Sequence, residues 1–210
     1  MAGRPRTVSD TDILTGALRA IGRVGPAALT LADVGREVGL SPATLLQRFG
    51  SKRGLLLAVA EEGVRRSEAA FAEKLAEVRT GEVRALEALL AALVEGSAEV
   101  ATPETMANHL AFLQLDLQDA ELLLLAREQA EKERAGIEAL VELAFQRGEL
   151  SDEAREARAL ARAVQTCVRG SLLSWALFRE GELSSWLRRD LELLLGVALA
   201  EPTSRRRSAR

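Results

Sequence analysis

The sequence predicts an all-α protein: an N-terminal three-helix helix-turn-helix head joined by a long helix to a C-terminal helical body, about nine helices in all. Three observations predict it. Leu, Ala, Glu and Arg, all strong helix formers, dominate the 210 residues. Strand-like alternation is absent, and apolar residues recur at helical spacing instead. Gly and Pro fall where those stripes stop, and a Ser, Thr or Asp often stands where the next one starts.

The elements follow in chain order. Ser9 with Asp12 forms a capping box ahead of the stripe Ile13, Leu14, Ala17, Leu18 and Ile21; Gly22 and Gly25-Pro26 close that helix. Thr30 with Asp33 opens a short helix over Leu31, Val34 and Val38, which Gly39 ends. Ser41-Pro42 opens a third, running to Phe49, because Pro fits the first turn, where its missing N–H costs nothing. Gly50-Ser51 breaks it, and Ser51 caps a long helix to about Val78. Further helices are expected from beyond Gly81 to Val100, from Pro103 to Leu115, and from Asp119 to Arg147. The last two are expected from Ser151 to Arg179 and from Ser184 to Ala200. Residues 1–53 form the head, 54–201 the helical body, and 202–210 a basic tail, with no internal repeat.

Composition narrows the function. The longest apolar runs fall far short of the roughly 18 residues of a membrane span, and the polar, basic start does not read as a secretory signal, so a cytoplasmic protein is expected. One cysteine, Cys167, and one histidine, His109, exclude an intramolecular disulfide and a thiolate metal centre. No nucleophile–base pair or phosphate loop is visible, so no catalytic residue, metal or cofactor is expected. The net charge of −3 hides an asymmetry: residues 1–53 hold eight basic and four acidic groups, a balance of +4, which leaves −7 on the rest. A basic head on an acidic body suits contact with a polyanion at one end.

Residues 31–49 carry that contact. Two short helices around a glycine turn form a helix-turn-helix unit, with Ala32 small for a close helix crossing, Leu40 anchoring the turn, and Val34, Val38, Leu45 and Phe49 holding the helices together. The third helix then presents Pro42, Ala43, Thr44, Leu46 and Gln47 to a DNA major groove. Gln47 can pair with an adenine edge; Ala43 and Leu46 can meet a thymine methyl. Thr30, Ser41, Arg48 and Lys52 are placed for phosphates, and Arg4 and Arg6 for a minor-groove arm. The competing reading is a helical protein-interaction module with no DNA role, in which Ala43, Thr44, Gln47 and Arg48 need not share an exposed face.

These residues resemble the head of the TetR family of bacterial regulators. The resemblance rests on Ile13-Leu14, Ala17-Leu18, Thr30, Leu31-Ala32, Val38-Gly39-Leu40-Ser41, Thr44-Leu45, Phe49 and Ser51-Lys52-Arg53-Gly54-Leu55. It departs from the family where a Tyr and a His usually precede the Phe, here Leu46 and Arg48, and at Pro42, where many relatives carry a cation. The resemblance implies a homodimeric repressor on a palindromic operator, released by a small, largely apolar molecule. It implies dimerisation through the last two helices, for which Val164, Val168, Ser171, Leu172 and Trp175 offer one face, and Leu183, Trp186, Leu187, Leu191 and Leu194 another. It also implies an effector site within the body. Candidate lining residues are Phe71, Leu75, Leu89, Met106, His109, Leu110, Phe112, Leu113, Gln114, Phe145, Thr166 and Cys167.

Overall fold

In the computed structural model, residues 8–100, 102–150 and 156–196 are described. They form α1 (Asp10–Ala28), α2 (Leu31–Val38), α3 (Pro42–Phe49), α4 (Lys52–Thr80), α5 (Ala85–Gly96), a short 3₁₀ turn (Ala98–Val100), α6 (Pro103–Gln118), α7 (Ala120–Gln146), α8 (Ala157–Phe178) and α9 (Leu183–Leu195). The expected starts and stops hold wherever the capping bond is local. Ser9 and Asp12 exchange both capping-box bonds, as do Thr30 and Asp33. The Ser41 and Ser51 hydroxyls accept from the Thr44 and Gly54 amides.

Several boundaries differ. Gly22 lies inside α1, and the break comes at Gly25, whose φ of 76° only glycine adopts freely, followed by one more turn. The α5 helix begins at Ala85, because the Glu149 carboxylate, 64 residues away, accepts hydrogen bonds from the Ala85 and Leu86 amides at 3.0 Å each. The α6 helix runs on to Gln118, so only Asp119 separates it from α7; its Oδ1 accepts from the Glu121 and Leu122 amides. The α9 helix stops at Leu195 on Gly196, whose φ of 67° is left-handed, short of the expected Ala200. The expected cap at Ser151 and the basic tail lie outside the described residues.

The head core gathers Ile13, Leu14, Ala17, Ile21, Leu29, Val34 and Leu45, but also Leu55, Leu56 and Val59 of α4, with Phe112 and Leu115 of α6 packed against it. The expected head–body boundary after residue 53 therefore cuts through a continuous core. Polar contacts tie the same junction. Arg53 pairs in two-pronged fashion with Asp119 at 2.9 Å and with Glu121 at 2.6 Å. Asn108 Nδ2 donates to the Gly22 carbonyl at 2.8 Å. In the body, α4 and α7 close up on Gly136, where any Cβ would overlap the Phe71 ring.

Two buried polar atoms lack a hydrogen-bond partner among the described residues, Trp186 Nε1 and an oxygen of the ionisable Asp116. Asp116 on α6 is buried, its Oδ1 finds no hydrogen-bond partner, and burial pushes its carboxyl up to about 6. A raised folded-state value means that the folded chain holds its proton more tightly than the unfolded chain. Stability therefore falls as pH rises from about 4 through about 6. Asp116→Asn, which removes the charge, is expected to stabilise the protein by up to about 3 kcal/mol above pH 7. The gain should vanish near pH 4, as thermal unfolding of the two proteins across that range will show; equal stability at every pH would rule the charge out as a burden.

Candidate nucleic-acid interface

The turn between α2 and α3 is set by its backbone. Gly39 sits in the left-handed region at φ 70°, and the Leu40 amide donates back to the Gly35 carbonyl at 3.0 Å. The close approach is made at Gly35, where a Cβ would overlap the Leu40 carbonyl oxygen. Ala32, expected to fill that role, is exposed. Leu45 is fully buried and pins α3 to the head, while Val38 and Phe49 pack at the edge of the core.

With Leu45 inside, the opposite face of α3 must look outward. Pro42, Ala43, Leu46 and Gln47 are exposed, Leu46 to 50%. A half-exposed leucine beside an amide with no hydrogen-bond partner among the described residues gives this face both apolar and hydrogen-bonding capacity. Thr44 is half-buried, its hydroxyl 2.9 Å from that of Ser41. Thr30 caps α2 from an exposed position.

The cations are partly committed. Arg48 donates to the Val8 carbonyl at 2.8 Å and pairs with Asp10 at 3.2 Å. Lys52 Nζ donates to the Ala27 carbonyl at 2.8 Å. Arg4 and Arg6 lie outside the described residues. The other acidic groups of the head are also matched. Glu37 pairs with Arg23 and Arg19, and Asp33 with Arg36. The Arg23 bond holds the Glu37 carboxyl below its usual range, and the Thr30 hydroxyl, then its amide, does so for Asp33. These carboxylates stay charged but neutralised, which limits their repulsion of a polyanion.

The expected effector residues are not brought together. Phe71 is buried in the body core and Phe145 packs at its edge; Met106 is buried with Val100, Trp175 and Leu183; and Phe112 packs on the head core. His109, Leu113 and Thr166 are exposed, and Thr166 donates to the Arg162 carbonyl of its own helix. Cys167 is half-buried, and burial pushes its thiol up, away from the reactive thiolate. A cavity of about 620 Å³ lies elsewhere, between head and body. Gln114 alone among the residues named for the effector lines it, with Pro26, Lys52, Leu56 and Leu122. Its signal in the sequence was the Gly25-Pro26 break, which was read only as a helix end.

Most of the residues expected for the dimer face are packed within the chain itself. Val164, Val168, Leu187 and Leu191 belong to the chain's own body core, and Trp175 and Leu183 to a third cluster. Ser171 is buried with its hydroxyl bonded to Asp190 at 2.5 Å. Leu172, Trp186 and Leu194 are half-buried at the margins. The apolar residues that α8 and α9 leave exposed are Leu173, Leu177, Phe178 and Leu193.

Comparison with known proteins agrees with this geometry. Residues 13–59 match the family described as bacterial regulatory proteins, tetR family. The chain is 37% identical over 102 residues to the HTH-type transcriptional regulator BetI of Rhizobium meliloti (strain 1021); that match spans 48% of each protein, about half the length of the relative. Among solved structures, the fold resembles that of the transcriptional regulator FadR from Bacillus subtilis in complex with stearoyl-CoA. That match has a TM-score of 0.66 and 16% identity over 91% of this chain and 100% of the other. It also resembles a putative transcriptional regulator from Saccharomonospora viridis in complex with choline, with a TM-score of 0.67 and 22% identity over 88% and 94%.

Proposed function

We propose, from the premise that residues 13–59 belong to the tetR family of bacterial regulatory proteins, that this chain is a sequence-specific DNA-binding transcriptional regulator. The exposed face of α3 carries the reading: Ala43, Leu46 and Gln47 stand outward on a short helix that Leu45 fixes from behind. A helix so mounted fits the major groove, and its side chains reach base edges. Thr30, Ser41, Arg48 and Lys52 surround it and serve the phosphates, Arg48 and Lys52 by exchanging their present carbonyl partners for phosphate oxygens. The alternative of an interaction module gains no support from this face, since Ala43, Gln47 and Arg48 are all exposed on α3.

The finer reading is a homodimeric repressor on a palindromic operator, released by a small molecule. Two heads serve one palindrome only when their spacing matches the groove repeat. The Arg53 clasp and the shared core couple the head to the body, so a ligand that shifts one shifts the other. The ligands named for the FadR and choline-bound structures show that this fold accommodates small molecules in those proteins.

Binding of the purified protein to fragments of its own genome, at two salt concentrations, tests the DNA role. Saturable, sequence-selective binding with a steep salt dependence is expected. Gln47→Ala is expected to cost about 1–3 kcal/mol and relax selectivity at one base pair, and Lys52→Ala to lower the salt slope by about one. Binding that is weak and indifferent to sequence would count against the DNA role.

A further inference from the structure

The cavity between head and body has an apolar floor and one uncompensated cation. Pro26, just past the α1 break, Leu56 of α4, Ala111 and Leu115 of α6 and Leu122 of α7 supply the floor. Along α6, Ala111, Gln114, Leu115 and Gln118 are spaced so that one helix face lines the space. The rim is polar. Gln114 and Gln118 are exposed there, and among the described residues no hydrogen bond engages their amides. Arg53 is neutralised by Asp119 and Glu121, but Lys52 has no carboxylate partner among the described residues and gives only one of its three protons, to the Ala27 carbonyl.

We propose that this cavity is a binding site for a small anionic amphiphile, a ring or acyl body on the floor with one carboxylate, sulfonate or phosphate at Lys52. The apolar walls supply affinity, Gln114 and Gln118 orient the polar end, and Lys52 selects the charge. The site sits at the lever of the molecule. Lys52 is the first residue of α4 and stands three residues after the end of α3, while the opposite wall is the α6–α7 junction. An anion that holds Lys52 withholds it from a DNA phosphate, and its body wedges α4 away from α6. This coupling rests on the DNA-binding reading; the site itself does not.

The probe is 8-anilinonaphthalene-1-sulfonate, an aryl body with one sulfonate, titrated by fluorescence into the full chain. Its uncharged counterpart is N-phenyl-1-naphthylamine. One saturable sulfonate site per chain is expected, absent in Ala111→Trp, which fills the floor, and in Gln114→Trp, which fills the space from an exposed position and spares the core. Lys52→Met is expected to weaken the sulfonate about tenfold and leave the uncharged dye unchanged. The proposal is overturned if no saturable site exists, if folded Gln114→Trp binds as the parent does, or if Lys52→Met affects both dyes alike. Competition against an operator fragment separates the two readings: dye binding with these variant effects but no DNA binding keeps the site and removes the coupling.

Discussion

Gly35→Val takes operator binding away, by about 100-fold or more, while leaving the body folded. The cause is a collision that nothing nearby can relieve. A Cβ at Gly35 overlaps the Leu40 carbonyl oxygen, a backbone atom, and the Leu40 amide is itself bonded back to the Gly35 carbonyl at 3.0 Å. The turn must open, and α3 moves with it. Leu45, now fully buried, leaves its seat in the head core, and the exposed face of α3 loses its fixed direction. Overpacking of this kind costs about 1–3 kcal/mol, and more where backbone must yield. An 8-residue helix has no independent stability to oppose that. Gly39→Ala is the control: its φ is positive, but no atom lies near its Cβ, so only about 1 kcal/mol of backbone strain is expected, with binding retained. Operator affinity by fluorescence anisotropy, beside thermal unfolding, measures both. Full affinity in Gly35→Val would show that the α2–α3 geometry does not set recognition.

What could be read in the sequence was what is held by local bonds. Ser9, Thr30, Ser41 and Ser51 each bond an amide three residues on, so residue type and spacing suffice to find them. The outward face of α3 was legible for the same reason, since Leu45 and Phe49 lie four apart on the side that must be buried. Contacts between distant residues were not. The Glu149 cap on α5 spans 64 residues, and the Arg53–Asp119 pair 66; no local pattern marks either. Ala32 was expected at the crossing and Gly35 makes it; both are small and lie one turn apart, so residue size does not tell them apart. Nor was it legible which part of α8 and α9 the chain keeps for its own core, because apolar residues also stand outside that stripe. Periodicity finds the stripes but cannot say which one the chain keeps for itself.

The second stripe of α8 and α9 sets the other large effect. Leu177 is 73% exposed, Phe178 65% and Leu193 76%, with Leu173 beside them. Phe178 stacks on Trp186, ring centroids 6.3 Å apart, which fixes a flat aromatic surface between the two helices. Exposed apolar residues on neighbouring helices suit an interaction surface, and we propose that the homodimer uses this one. Leu177→Glu combined with Leu193→Glu is therefore expected to give a 22.6 kDa monomer by sedimentation, and the parent chain a dimer. Operator affinity should fall by about 100-fold or more, because each head then binds one half-site without the effective concentration supplied by its twin. Thermal stability of the isolated chain should hardly change, since both side chains already face solvent. Leu187→Ala behaves in the opposite way: it removes packing from the chain's own core, costs about 2–5 kcal/mol, and leaves the exposed face intact. A double glutamate variant that still sediments as a dimer would place the contact between chains elsewhere. One that becomes a monomer yet keeps full operator affinity would show that a single head suffices, and the palindromic reading would fall with it.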